Sequence, residues 1–81
     1  MREADPCELL LLLAKALVDQ TDQVHVKEVS TPRGTVLQLS VAPEDIGKII
    51  GKDGRTAQAL RTLLSAATSR SNRRVQLDIV D

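Results

Sequence analysis

The sequence contains no Phe, Tyr or Trp among its 81 residues. Its core must therefore be built from Leu, Ile, Val and Ala. RRM domains and many OB folds stack nucleic-acid bases on aromatic rings, and each such contact is worth about 1 to 3 kcal/mol. The absence of aromatic side chains argues against both of these modules.

Residues that carry covalent or metal chemistry are also scarce. There is one cysteine, Cys7, and one histidine, His25. A single cysteine excludes a disulfide within the chain, which indicates a cytoplasmic setting, and these two residues offer no cluster with metal-ligand spacing. His25 falls on the expected outer side of a strand, and the sequence shows no nucleophile–base pair. We therefore expect that the protein is not an enzyme and that it has no cofactor, no metal site and no small-molecule substrate.

Long apolar runs are missing as well. The five leucines at 9–13 fall far short of the roughly 18 residues that a membrane span requires, and the acidic start of the chain is unlike a signal peptide. We expect no membrane association. A chain of this length predicts one small domain over residues 1–81, which buries only roughly 60 to 65 per cent of its unfolded surface.

The first half of the sequence predicts a helix followed by a hairpin. Residues 5–8, Asp-Pro-Cys-Glu, provide an N-cap, a first-turn proline and an acid three residues beyond the cap, and the helix should run to about Asp19. Val24 and Val26 alternate with polar residues as in a half-buried strand. Residues 31–34, Thr-Pro-Arg-Gly, are typical of a type I turn between two strands. The second strand should bury Leu37, Leu39 and Val41.

The second half predicts two helices and a closing strand. Pro43 opens a short helix, and a longer helix should run from Arg55 to about Ser69. Polar residues 71–74 interrupt the chain before alternating apolar residues predict the last strand. The result is an α+β fold of order α-β-β-α-α-β, with a three-stranded sheet packed on one side by three helices. The core face of the longer helix should carry Ala57, Leu60, Leu64 and Ala67, with Leu63 beside them.

The most informative segment is 46–55, Ile-Gly-Lys-Ile-Ile-Gly-Lys-Asp-Gly-Arg. It leads from a helical stub into a Gly-x-x-Gly turn and then into the longer helix. The glycine spacing fits neither a mononucleotide loop nor a dinucleotide-binding fingerprint. Gly51 and Gly54 let the backbone turn sharply, and flanking cations give the turn a positive charge suited to phosphates. The cations are Lys48, Lys52 and Arg55.

A net charge of zero conceals a segregation of charge along the chain. Residues 1–45 carry four cations against eight anions, whereas residues 46–74 carry seven cations against Asp53 alone, giving +6 around the motif. Such a local excess attracts a phosphate chain in a salt-dependent way. Arg61 and Arg70 within this segment are also explained as the solvated face of a helix.

The segment 46–55, its helical context and the element order resemble the KH domain of RNA- and single-strand-binding proteins. The extra helix and strand before the β-α-α-β core are similar to the type II arrangement. The stretch at 51–56, Gly-Lys-Asp-Gly-Arg-Thr, together with the length of the chain, most resembles the small bacterial KH-domain protein A (KhpA) family. The resemblance covers nearly the whole chain.

The resemblance implies binding of short single-stranded RNA with weak sequence preference, in an RNA chaperone or post-transcriptional regulator. Amides of residues 51–54 would meet phosphates, and apolar side chains would form the floor for bases, with Leu37 or Leu39 beneath. Ile49 should be the fully buried isoleucine, and Asp53 should weaken the clamp. RNA is favoured over single-stranded DNA by the resemblance alone. The residues expected at the RNA are Ile46, Gly47, Lys48, Ile50, Gly51, Lys52, Asp53, Gly54 and Arg55.

An alternative use of the fold is pairing between proteins. Leu11 and Leu12 lie between polar residues of the first helix, so at least one of them should be exposed and available to a partner. The resemblance implies a homodimer, or a heterodimer with a larger multidomain KH-containing RNA-binding protein. In that alternative the chain is a dimerisation scaffold with a weak or unused nucleic-acid groove, and only RNA binding would depend on Lys52.

Overall fold

A computed structural model describes residues 5–68 and 74–80 of the chain. The element order is α-β-β-α-α-β, which confirms the prediction, with short 3-10 turns before β1, before α2 and between α2 and α3. The predicted break at residues 71–74 lies outside the described residues except for its last position. The elements are α1 (Pro6–Leu17), β1 (His25–Thr31), β2 (Gly34–Ser40), α2 (Ile46–Ile50), α3 (Arg55–Ala67) and β3 (Val75–Val80).

The sheet is mixed, with β2 between β1 and β3. Strands β1 and β2 form the predicted antiparallel hairpin, in which Thr31 pairs with Gly34 across a two-residue connection. Strand β3 runs parallel to β2, with Leu37 opposite Leu77. A parallel pair requires a crossover between its strands, and here the crossover consists of α2, the glycine turn and α3. The sheet register therefore fixes both ends of the segment that carries the motif.

The core is aliphatic throughout and lies between the helices and one face of the sheet. Alternation along β2 buries Leu37 and Leu39 completely, as predicted, and Val41 follows them into the core. Ile49 is also fully buried, as predicted from its place in the short helix. The helical residues that meet this face are Leu10, Ala14, Leu60 and Leu64.

The end of the first helix differs from the sequence-based expectation. Helix α1 ends at Leu17 rather than about Asp19, because Val18 adopts extended backbone angles (φ −103°, ψ 161°) that turn its side chain into the core. Leu63 lies beside the core face of α3, as expected. It is 48% exposed, because its neighbours Leu60 and Leu64 already occupy the buried stripe of that helix.

Candidate nucleic-acid interface

The Gly-x-x-Gly turn joins α2 to α3 through backbone angles that few residues adopt. Gly51 has φ 75° and ψ 174°, Asp53 has φ 57° and ψ 25°, and Gly54 has φ 75° and ψ 13°. The Gly51 amide donates to the Gly47 carbonyl at 2.8 Å, and the Gly54 amide donates to the Gly51 carbonyl at 3.2 Å. These bonds tie the turn to the last turn of α2.

The two glycines of the turn are required for different reasons. A Cβ on Gly51 would lie 2.2 Å from Oγ1 of Thr56 and 2.9 Å from the Thr56 amide nitrogen, so the site has no room for a side chain. A Cβ on Gly54 would meet nothing within 4 Å, and only its left-handed backbone favours glycine there. Gly51 is thus required by both packing and backbone conformation, and Gly54 by backbone conformation alone.

Asp53 has positive φ without being glycine, and no other non-glycine does so in residues 5–68 and 74–80. Aspartate tolerates the left-handed region better than most residues, because its short polar side chain makes local hydrogen bonds. The residue is exposed, so its carboxylate is solvated beside the turn. A ligand phosphate at the turn would meet this negative charge.

Helix α3 begins directly after the turn, with Gly54 as its N-cap. Because glycine has no side chain, the N-cap residue cannot satisfy the amides of the first turn as Ser or Asp would. Those amides and the positive end of the helix dipole are suited to an anion. Lys52 and Arg55 are both exposed beside them. The structure therefore places two exposed cations next to the uncapped start of this helix.

Helix α2 presents a small apolar surface next to the turn. Ile50 is 40% exposed and Ile46 is half-buried, whereas Leu37 and Leu39 are fully buried. Leu37 and Leu39, which were expected beneath this surface, are not accessible, so a ligand could contact only the isoleucines. Gly47 is exposed, and a Cβ placed on it would meet no atom within 4 Å.

Lys48, expected at the RNA, is engaged by carboxylates. Its Nζ lies 2.6 Å from Oδ2 of Asp19 and 2.9 Å from Oδ1 of Asp45. The other carboxylate oxygen of Asp45 accepts from the Gln20 amide at 3.0 Å. The hydrogen bond from Lys48, followed by that from the Gln20 amide, lowers the pKa of Asp45, and the hydrogen bond to Asp19 is the main cause that raises the pKa of Lys48. Sequence reasoning missed the role of Asp45, although its i,i+3 spacing from Lys48 was visible.

The structure also tests the prediction that Leu11 or Leu12 of α1 is exposed. Leu12 is 68% exposed and Leu11 is half-buried, which confirms that at least one of this pair faces solvent. A groove between α1 and α3, which we call the α1–α3 groove, was not predicted from the sequence. It has a volume of about 220 Å³. Its apolar walls are formed mainly by Leu13, Ala16, Leu17, Ala59 and Leu63.

The described part of the chain shows no group of three or more His, Cys, Asp or Glu residues able to hold a metal ion. Cys7 is half-buried, and burial is the main cause that raises the pKa of its thiol. Across residues 5–68 and 74–80, no helix combines the length and apolar character needed to cross a membrane.

The parallel pair β2–β3, connected by two helices with a Gly-x-x-Gly turn between them, defines a KH domain of the type II arrangement. The family model described as KhpA/KhpB, KH domain matches residues 7–79. The chain belongs to this KhpA/KhpB KH-domain family.

Several curated relatives are similar over most of their length. The protein named RNA-binding protein KhpA from Clostridium acetobutylicum is 49% identical over 73 residues, covering 90% of this chain and 97% of the relative. Its namesake from Chlamydia pneumoniae is 50% identical over 74 residues, covering 91% and 95%. That of Borreliella burgdorferi is 47% identical over 74 residues, covering 91% and 90%. No solved structure matches the chain.

Proposed function

We propose that this chain, acting as one KH domain, binds short single-stranded RNA through the Gly-x-x-Gly turn. The observation that carries the proposal is the exposed N-terminus of α3, which follows a glycine turn and is flanked by the exposed cations Lys52 and Arg55. Relatives that are about half identical are named RNA-binding proteins, which supports RNA as the ligand.

In this proposal the phosphate chain meets the backbone amides of residues 51–54 and the first turn of α3. Lys52 and Arg55 supply charge, while Asp53 opposes it. The bases lie against the exposed parts of Ile46 and Ile50, and Gly47 allows the strand to approach the surface of α2 closely. Contacts to phosphates position a strand without reading its sequence, so sequence preference is weak.

Such a binder serves as an RNA chaperone or post-transcriptional regulator rather than an enzyme, and we place it in the cytoplasm, where its bacterial RNA ligands are found. One clamp of about four nucleotides is a weak ligand site. Tight binding of RNA in the cell therefore requires two linked domains. When one domain has bound the RNA, the second binds at a high effective concentration.

The test is binding of a fluorescently labelled, mixed-sequence single-stranded RNA, followed by anisotropy at several salt concentrations. Lys52→Glu should abolish binding. Lys27→Glu is the matched control, because Lys27 is exposed on β1 and the substitution changes the net charge equally. Equal loss in both variants would indicate a general charge effect, and native binding by Lys52→Glu would overturn the phosphate clamp.

A second candidate function is pairing through the α1–α3 groove, favoured by the exposure of Leu17 and Leu63 at its edge. A second copy of the chain is the occupant we propose, because two copies can bury the same apolar helix faces against each other. Heterodimerisation with a larger multidomain KH-containing RNA-binding protein is the alternative outcome.

Sedimentation of the native chain and of Leu63→Lys at increasing concentration tests self-pairing. A dimer that dissociates in the variant supports the second candidate. A native chain that stays monomeric at high concentration contradicts it, and RNA binding without pairing would leave the scaffold interpretation without support.

A further inference from the structure

Helix α2 has only five residues, Ile46–Ile50. Isolated helices shorter than about 12 residues are marginal in water, so α2 depends on tertiary contacts for its position. Burial of Ile49 provides one such contact. Ile46 packs against the same core, but apolar burial is not directional and does not by itself set the orientation of the helix.

A directional contact comes from a set of polar groups that we call the Asp45 bracket. It consists of Asp45, Lys48, Asp19 and the backbone amide of Gln20. The side chain of Asp45 is 1% exposed, whereas those of Lys48 and Asp19 are 44% and 82% exposed. Asp45 is thus the buried centre of the bracket, and its two oxygens bind groups from two different parts of the chain.

The bracket connects the end of α1 to the start of α2. Gln20 lies beyond the C-terminus of α1, Asp45 immediately precedes α2, and Lys48 lies within α2. The amide of Gly51, the first glycine of the turn, donates to the Gly47 carbonyl of the same short helix. The position of the turn relative to α1 and the sheet therefore follows the position of α2, which the bracket fixes.

We propose that Asp45 is a positioning residue for the RNA clamp and that Lys48 acts through it rather than as a phosphate ligand. The inference rests on the proposed RNA-binding function and deepens it. Lys48 is held between two carboxylates, so its positive charge is already neutralised within the protein. Free cationic charge at the turn comes instead from Lys52 and Arg55.

Salt dependence distinguishes a positioning residue from a phosphate ligand. Each phosphate neutralised on a single strand contributes about −0.7 to the slope of log K against log salt. Removing a side chain that binds a phosphate lowers the magnitude of that slope. Displacing the turn weakens its backbone contacts with the RNA and lowers the affinity, but it leaves the slope unchanged. Substitution of a residue that contributes only to global stability changes neither the affinity nor the slope, provided that the variant is fully folded.

The experiment measures anisotropy of the labelled, mixed-sequence RNA against five chains at several salt concentrations. The variants are Asp45→Asn, Lys48→Gln, Lys52→Gln and the control Asp22→Asn, compared with the native chain. Circular dichroism establishes that each variant is folded under the binding conditions. If Asp45→Asn does not fold, Lys48→Gln tests the same bracket from its more exposed side.

We expect Asp45→Asn and Lys48→Gln to weaken binding roughly tenfold with the salt slope unchanged, a loss typical of residues that orient a binding group. Lys52→Gln should reduce the magnitude of the slope by about 0.7. Asp22→Asn should stay within about twofold of the native chain, because Asp22 is exposed and lies outside both the bracket and the turn. Hydrogen exchange at the Gly51 amide should accelerate in Asp45→Asn and not in Asp22→Asn.

Two results would overturn the inference while leaving RNA binding intact. One is native affinity in folded Asp45→Asn, which would make the residue merely structural. The other is a slope change in Lys48→Gln equal to that in Lys52→Gln, which would make Lys48 a phosphate ligand. Failure of the native chain to bind at all is a separate result, and it would overturn the proposed function itself.

Discussion

The side chain of Thr56 packs against the backbone of Gly51, so that a Cβ on Gly51 would lie 2.2 Å from Oγ1 of Thr56. This contact joins the first turn of α3 to the first glycine of the clamp. It explains why the turn cannot accept any side chain at residue 51, independently of the backbone angles.

The first prediction concerns the unequal demands on Gly51 and Gly54. Gly51→Ala should lower the free energy of unfolding by more than about 2 kcal/mol, because it adds a steric clash to a backbone region that is essentially restricted to glycine. Gly54→Asn should cost less than about 1 kcal/mol, because asparagine tolerates the left-handed region. Denaturant unfolding followed by circular dichroism measures both, and equal losses would contradict the distinction.

The second prediction separates stability from function at Gly47. Alanine in place of a helical glycine should raise the free energy of unfolding by about 0.5 to 1 kcal/mol, since a Cβ here meets only open space. The same Gly47→Ala chain should bind RNA more weakly, because the methyl group occupies the surface that the strand approaches. Ala59→Gly, on the α1–α3 groove, is a helical control that should lose stability without losing RNA affinity. Unchanged RNA affinity in Gly47→Ala would exclude close approach at this site.

The third prediction concerns the charge of Asp53. Asp53→Asn keeps a residue that tolerates φ near 57° and removes the carboxylate from the clamp. Two unit charges about 4 Å apart in water interact by about 1 kcal/mol, so RNA affinity should rise roughly two- to fivefold. Asp22→Asn, an exposed site outside the turn, is the matched control. An Asp53→Asn chain with native affinity at low salt would show that this carboxylate lies away from the bound phosphates.

The fourth prediction is a pH dependence of stability that originates at Asp45. Hydrogen bonds from Lys48 and from the Gln20 amide hold the pKa of Asp45 below its ordinary value of 3.8. A carboxyl whose pKa is lowered by folding contributes stability above its unfolded-state pKa, and that contribution is lost as pH falls through the folded-state pKa. The native chain should therefore lose stability below about pH 4 more steeply than Asp45→Asn. Thermal unfolding between pH 7 and pH 2 measures the difference, and parallel profiles would contradict it.

The sequence predicted those features that depend on local periodicity and turn chemistry. Alternation placed Leu37 and Leu39 in the core, and Ile49 was expected to be the fully buried isoleucine of the short helix. The glycine spacing and flanking cations identified the turn. These are short-range patterns, and the element order follows from them.

The features that the sequence did not predict arise from contacts between distant segments. Lys48 pairs with Asp19, which lies 29 positions away in the sequence. The sequence of charges alone does not show whether such a lysine is paired within the protein or available to a ligand. Leu63 was expected beside the core face formed by Leu60 and Leu64, but its place at the edge of the α1–α3 groove depends on the packing of α1 against α3, which the sequence pattern does not show.

The measurement that tests the central claim most directly is a two-dimensional amide NMR titration of the native chain with short single-stranded RNA. Binding at the clamp predicts that the amides of Gly47, Gly51 to Arg55 and Thr56 shift first and most, while those of β1 stay in place. Absence of shifts, or shifts concentrated on Leu17 and Leu63 of the α1–α3 groove, would contradict the RNA clamp and indicate a pairing surface instead.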